Sequence, residues 1–259
     1  MIHPSAHVHP SARLAPDVTV GPFAIIEAET ILGPGCRIAA HAVVKARAEL
    51  GAGVRVDHFA VVGGDPQDLS FDPATASGTF VGERTVVREH VTIHRATQAG
   101  QRTIVGADGL LMAGSHVAHD CVLGAHVILA NGCMLGGHVH VGDRAFVSGG
   151  VAVHQFCRIG GGALVSGNAV ITEDVPPDAL AHGRNLVAGL NLVGLRRRGV
   201  AAPAVAELKR AYHAVYATDG ACPALAQAAL ASGDYQTAEA RAFLDFFLGG
   251  KRGRFISPA

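Results

Sequence analysis

The sequence predicts a mainly β protein: a parallel solenoid of six-residue repeats, closed by a small α-helical domain. Three observations predict it. An aliphatic residue recurs at every sixth position over most of the chain, a small residue follows four places after each, and the texture turns Ala-rich and helical beyond Pro176-Pro177.

The first series of anchors starts at Ile2 and steps by six through Val8, Leu14, Val20, Ile26, Leu32, Ile38, Val44, Leu50 and Val56 to Val62. The phase breaks over 63–80 and resumes at Val81, Val87 and Ile93. It passes Ala99 and then runs from Val105 to Ile171 without a lapse. A helix repeats every 3.6 residues and a simple strand every second one, so neither singles out every sixth position. The small residues four places on, such as Ala24, Cys36, Cys121 and Cys133, point inward beside the anchors. The pattern resembles the hexapeptide-repeat, left-handed parallel β-helix, and the hand is implied by that resemblance alone. In it three repeats, eighteen residues here, make one triangular coil. A single coil buries little, whereas stacked coils bury a continuous aliphatic column. Open strand edges at the ends need a cap.

Domain limits follow: a β-helix over 1–177 with a loop insertion at about 63–80, then a helical domain over 178–259. Within the second domain, helices are expected over 201–217, with Pro203 near the start, and over 221–232 and 235–248. Residues 252–259 read as a loose tail. A second interruption, 97–102, keeps the phase but has poor strand composition. Insertions into a solenoid emerge as loops on one face, often the functional one.

Composition narrows the function. Lys+Arg and Asp+Glu both number 21 in 259 residues, so no net charge favours nucleic acid or a membrane surface. The opening MIHPSAHVHP lacks a signal-peptide pattern, and no apolar run approaches the ~18 residues of a membrane span. A cytoplasmic location is expected. With 33 Gly, no Trp and 5% aromatics, the core is built of small aliphatics. Cys36, Cys121, Cys133 and Cys157 fall at the small inward position and read as buried hydrophobes. There is no CxxC pair to suggest a disulfide or zinc site.

Of fifteen histidines, His3, His7, His9, His41, His58 and His126 read as solvated. Others converge through the coil length, because residues i and i+18 stack roughly 4.8 Å apart. The repeats anchored at Val117, Leu135 and Val153 share one face. They place Asp120 beside His138, and His119, Gly137 and Gln155 in one column, with Gly137 leaving a gap. His116 sits at the preceding corner and His154 beside Gln155. A neutral imidazole can take a hydroxyl proton near neutral pH, a neighbouring Asp can fix its tautomer, and a Gly amide can donate to an oxyanion. The bland alternative is an exposed polar ladder.

Several segments carry a specific resemblance: His116-Val117-Ala118-His119-Asp120-Cys121, Gly136-Gly137-His138, Ala152-Val153-His154-Gln155-Phe156, Asp174-Val175-Pro176-Pro177 and Gly189-Leu190-Asn191-Leu192-Val193-Gly194-Leu195-Arg196-Arg197-Arg198-Gly199. With Gln67-Asp68-Leu69, Val91-Thr92-Ile93-His94-Arg95 and the terminal helices, they are similar to the UDP-N-acetylglucosamine O-acyltransferase family of lipid A biosynthesis. The resemblance implies a homotrimer with sites between subunits, transferring an (R)-3-hydroxyacyl chain from acyl carrier protein to the sugar 3-hydroxyl, with no metal or other cofactor. It makes His119 the base, Asp120 its orienting partner and the Gly137 amide the oxyanion donor. Gln67, Asp68, His94, His116, His138, His154 and Gln155 become substrate contacts. Asn191, Arg197 and Arg198 reach the nucleotide, and Gly167 lies at the end of the acyl groove. Two departures stand out: Ser70 where the family often has Lys, and Val193 where some members have Glu. They leave room for an amino-substituted sugar acceptor. The rivals are a later N-acyltransferase of the same pathway and a γ-carbonic-anhydrase-like zinc enzyme. The former usually carries an extra N-terminal domain. The latter would use His116-x-x-His119 with Asp120 and His138, but the arginine motif does not suit it.

Overall fold

Most anchors close a two-residue strand, and most of the others end or sit within slightly longer ones. In His116–Val117, Val122–Leu123 and Ile128–Leu129 the second residue is buried and the first faces outward. The computed structural model describes residues 1–250 and 253–258. Among these, successive strands fall in turn on three sheets of nine, eight and ten strands, all parallel except for one terminal pair. Val117 pairs with Leu135 and Leu135 with Val153, the expected step of one coil. The anchors merge into one column in which Leu111, Val117, Leu129 and Leu135 are wholly buried. Each such side chain contributes roughly 1.5–3 kcal/mol relative to exposure.

Both insertions leave this column as loops. Leu50 pairs with Val81, thirteen residues later than one coil would require, so 65–77 bulges out between the strands Val61–Gly64 and Gly78–Val81. The second corrects an expectation. Val81 pairs with Val105 and Ile93 with Val117, an offset of 24 instead of 18. The phase survives this stretch only because the offset grows by six, one whole repeat, and Ala99 is exposed rather than an anchor.

The expected boundary at 177 lies inside the sheet. Ala179–His182 stacks in parallel on Leu164–Val165, and Leu186–Leu190 folds back antiparallel over it. Pro176 and Pro177 occupy a corner, where a missing N–H costs nothing. Four helices follow: α1 (Leu192–Arg197), α2 (Ala202–Tyr216), α3 (Cys222–Ser232) and α4 (Ala238–Phe246). The last three match the expected spans, with a proline in the first turn of α2 and of α3. They bury Leu208, Val215, Phe243 and Phe247 in a second core. The described part of the tail, 253–258, is not loose. Phe255 bridges Asp174, Ser257 bridges Leu186, and Ile256 is fully buried at the end of the aliphatic column. An apolar side chain there closes the open end of the solenoid. Lys251, Arg252 and Ala259 lie outside the described residues.

The four repeat cysteines are buried and unpaired. Burial pushes the Cys121 and Cys133 thiols up to about 12, so they behave as inert hydrophobes. His41 departs from a simple solvated residue: its exposed ring stacks between Phe23 and Phe59 at centroid distances of 5.2 and 5.0 Å.

Candidate active site

The site grows from one corner of the solenoid. After Val117, Leu135 and Val153 the chain turns through His119-Asp120, Gly137-His138 and Gln155-Phe156, and the second residue of each turn has positive φ: 59°, 59° and 66°. The turn lifts these side chains off the sheet into one stack.

His119 Nδ1 lies 2.8 Å from Asp120 Oδ2. The carboxylate is held from the far side as well: the Thr97 amide donates to Oδ1 at 3.1 Å and the Thr97 hydroxyl to Oδ2 at 2.7 Å. The Asp120 amide donates to Thr103 Oγ1 at 2.8 Å. Burial alone would push the Asp120 carboxyl up. The hydrogen bonds from His119 and Thr97, with His138 nearby, outweigh it and hold the group below the usual carboxylate range. An ionised Asp120 assigns the proton to His119 Nδ1 and leaves Nε2 as the basic nitrogen.

That ring fills the gap foreseen at Gly137. A Cβ at Gly137 would lie 2.5 Å from His119 Cε1 and 2.7 Å from Nε2. Only glycine admits the imidazole, and none of the described residues accepts a hydrogen bond from the Gly137 amide. His138 stands edge-on to His119 at 5.2 Å, stacks on Phe156 at 4.6 Å, and keeps Nε2 3.7 Å from Asp120 Oδ2. On the other flank, His116 Nδ1 bonds Thr92 Oγ1 at 2.7 Å and packs edge-on against His94 at 4.7 Å. Burial lowers both, His94 to about 4, so His94 stays neutral near pH 7. Its buried Nδ1 has no partner among the described residues.

The loop 65–77 roofs the site. Asp68, Ser70, Phe71, Thr97, His119 and His138 share a cavity of about 430 Å³. Ser70, the departure noted above, fixes Asp68: its amide and hydroxyl both donate to Asp68 Oδ1 at 2.8 Å. These bonds lower the Asp68 pKa. Gln67, His154 and Gln155 are exposed, and His154 Nδ1 lies 3.0 Å from the Gln155 carbonyl.

Within one chain the nucleotide residues are not brought to this cavity. Asn191 caps α1, accepting from the Gly194 amide at 2.9 Å and donating to the Gly162 carbonyl at 2.9 Å. Arg198 forms an ion pair with Asp178, whose carboxyl burial pushes up despite that pair. Arg197 is exposed. Gly167 sits at the opposite corner of the sheet that carries His116. It is not among the positive-φ glycines, and a Cβ there would meet only the Gly149 carbonyl oxygen at 3.4 Å, an ordinary contact. The outward residues between the two corners, Met134, Ala152 and Val170, are apolar.

Thr97 and Thr103 carry no sequence signal for these contacts, and Thr92 stands in a family-like segment that does not reveal its bond to His116. The spacing rule that found His138 cannot find Thr97, because the 97–101 loop displaces it by a repeat. His119, Asp120 and His138 also have ligand atoms within 4.8 Å of one another, the one such group among the described residues able to hold a metal ion.

A hexapeptide-repeat solenoid carrying a His–Asp pair packed against a glycine corner has the parts of an acyltransferase of the hexapeptide class. The family profile described as UDP-N-acetylglucosamine O-acyltransferase, domain 2, matches residues 174–255, and that of the bacterial transferase hexapeptide (six repeats) matches residues 11–46. Two relatives are named acyl-[acyl-carrier-protein]–UDP-N-acetylglucosamine O-acyltransferase. The one from Trichlorobacter lovleyi is 54% identical over 83% of this chain and 84% of its own length, and the one from Ralstonia nicotianae 47% over 97% of both. The solved UDP-N-acetylglucosamine acyltransferase of Bacteroides fragilis superposes with a TM-score of 0.92 at 33% identity, covering 99% of both chains. That of Acinetobacter baumannii gives 0.93 at 32%, covering 98% of this chain and 99% of its own. The chain belongs to the UDP-N-acetylglucosamine O-acyltransferase family and has its left-handed β-helix with C-terminal helices.

Proposed function

We propose that the protein transfers an (R)-3-hydroxyacyl chain from acyl carrier protein to the 3-hydroxyl of UDP-N-acetylglucosamine, the first step of lipid A biosynthesis. One observation carries the mechanism: His119, oriented by an ionised Asp120, presents its free nitrogen at the Gly137 corner. His119 Nε2 removes the hydroxyl proton as the sugar oxygen attacks the thioester carbonyl. The Gly137 amide donates to the resulting oxyanion. Collapse expels the carrier thiolate, which takes the proton back from His119, so the base is regenerated. Neutral His94 and His116 act as hydrogen-bond partners for substrate, with His138, His154, Gln155, Gln67 and Asp68 lining the approach.

Asn191, Arg197 and Arg198 serve the nucleotide of a site in a homotrimer, where guanidinium forks suit phosphate. Their distance from the histidine cavity within one chain supports a site completed by a neighbour. No helix among the described residues is long and apolar enough to cross a membrane. A cytoplasmic enzyme fits its carrier and nucleotide substrates.

Offering UDP-N-acetylglucosamine together with a UDP-sugar bearing a 3-amine, in one reaction, tests the acceptor. The alkali-labile ester of UDP-N-acetylglucosamine is expected to dominate. A predominantly amide product would overturn the assignment.

Two further outcomes follow from the geometry. The apolar residues Met134, Ala152 and Val170 lead towards Gly167, so Gly167→Met is expected to shift the donor preference to shorter chains by on the order of a hundredfold. This is the loss of three or four buried methylenes at about 0.8 kcal/mol each. Backbone conformation does not demand glycine there, so stability should hold. Specificity constants for long and short donors in both proteins decide it; an unshifted ratio removes Gly167 from that role. Exhaustive chelation is expected to leave turnover unchanged, because a hydrogen bond from Gly137 replaces a Lewis acid. Activity lost on chelation and restored by zinc would show instead that the His119–Asp120–His138 group works as a metal centre.

A further inference from the structure

We propose that Arg95 is a positioning residue for the acceptor, holding the loop 65–77 in the shape that brings Gln67-Asp68 over the His119–Asp120 pair. The inference rests on the acyl-transfer reading and extends it to a residue that touches none of the reacting groups.

Arg95 is a charged side chain only 8% exposed. All three of its guanidinium nitrogens are spent on the loop. Nε donates to Asp65 Oδ1 at 2.8 Å, Nη1 to the Thr75 carbonyl at 2.5 Å, and Nη2 to the Pro73 carbonyl at 2.8 Å. The guanidinium also lies over the Phe71 ring at 4.8 Å. Its own amide donates to the Gly64 carbonyl at 2.8 Å. One residue thus ties down the start, middle and end of the insertion.

At its far end the loop has a second attachment: the Ser77 hydroxyl donates to the Ala96 carbonyl and the Gly100 amide to the Ala76 carbonyl at 2.9 Å. The exposed centre of the loop is bonded to itself: Ser70 to Asp68, the Phe71 amide to the Asp68 carbonyl at 3.0 Å, and the Thr75 amide to the Asp72 carbonyl at 2.9 Å. Those bonds set the loop's local shape and not its place on the solenoid. Asp68 nevertheless reaches the cavity of His119 and His138. Arg95 follows His94 directly, so the strand Thr92–His94 turns one side chain into the site and delivers the next to the loop's base. A guanidinium offers a rigid fork of directed donors, whereas an ammonium cannot satisfy a carboxylate and two separate carbonyls in this arrangement.

The test is the steady-state kinetics of Arg95→Lys with UDP-N-acetylglucosamine and acyl carrier protein, alongside limited proteolysis without substrate. Expected are a KM for the nucleotide sugar raised about tenfold, a KM for the acyl carrier and a kcat within threefold of wild type, and faster cleavage within 65–77. Asp65→Asn removes one arm of the clamp from a half-exposed carboxylate and should raise the same KM about threefold. It keeps the proposal testable if Arg95→Lys does not fold. An unchanged KM for the sugar in folded variants overturns the proposal. A parallel decline of kcat and both KM values with melting temperature also overturns it, since that marks a merely structural residue. If wild-type protein does not acylate UDP-N-acetylglucosamine, the acyl-transfer reading fails by itself. Proteolysis then still decides whether Arg95 holds the loop: cleavage as slow as in wild type refutes it.

Discussion

His119→Ala is expected to lower kcat by ~10²–10⁴-fold, the usual cost of removing a general base. The fold should survive. The His119 side chain is outside the aliphatic column, its neighbours Val117 and Cys121 keep their buried places, and Asp120 retains both bonds from Thr97. Circular dichroism and a melting curve establish that the variant is folded before its rate is read. Turnover within threefold of wild type in folded protein would remove His119 from the role of base.

Gly137→Ala is expected to be nearly as damaging, although it removes no chemical group. A methyl there would sit 2.5 Å from His119 Cε1 and 2.7 Å from Nε2, closer than real side-chain contacts come. The ring has to yield, and it cannot swing away without breaking its 2.8 Å bond to Asp120. A displacement approaching 1 Å at a catalytic group costs on the order of 10²-fold. Neighbouring Gly136 supplies the contrast. A Cβ at Gly136 would meet the Gln155 backbone nitrogen at 2.8 Å, so Gly136→Ala strains the coil stacking and should cost stability first. Adjacent glycines should therefore separate, one by rate and the other by melting temperature. A Gly137→Ala enzyme with normal kcat would mean that the close approach of His119 to this corner is irrelevant to the reaction.

The fold was legible because the solenoid repeats its physics: each anchor must fill the same column, so Val117, Leu135 and Val153 announce themselves. Stacking arithmetic then reached the heart of the site, placing Asp120 by His138 and His119 over Gly137. It stopped at the loops. Thr97, which holds Asp120, lies on an insertion whose length equals one repeat, so its phase imitates continuity while its contacts shift to an offset of 24. The sequence around Arg95 does not reveal its role, since its partners Asp65, Pro73 and Thr75 sit on a loop with no period. The tail misled for a related reason. Ile256 is one apolar residue among polar and small ones, and only the unfilled end of the column shows why it is buried. Arg198 read as a phosphate ligand, whereas within the chain it neutralises Asp178; removing it would leave a buried carboxylate unpaired, so its variants need a stability measurement beside any kinetics.

The most direct measurement is the mass spectrum of the product formed by purified protein from UDP-N-acetylglucosamine and 3-hydroxyacyl carrier protein, with wild type and His119→Ala in parallel. Wild type is expected to add one 3-hydroxyacyl group per nucleotide sugar, releasable by mild alkali, while the variant leaves the thioester intact on the same timescale. No acylated sugar with the wild-type chain, or equal product from both proteins, would contradict a His119-driven transfer to the sugar hydroxyl.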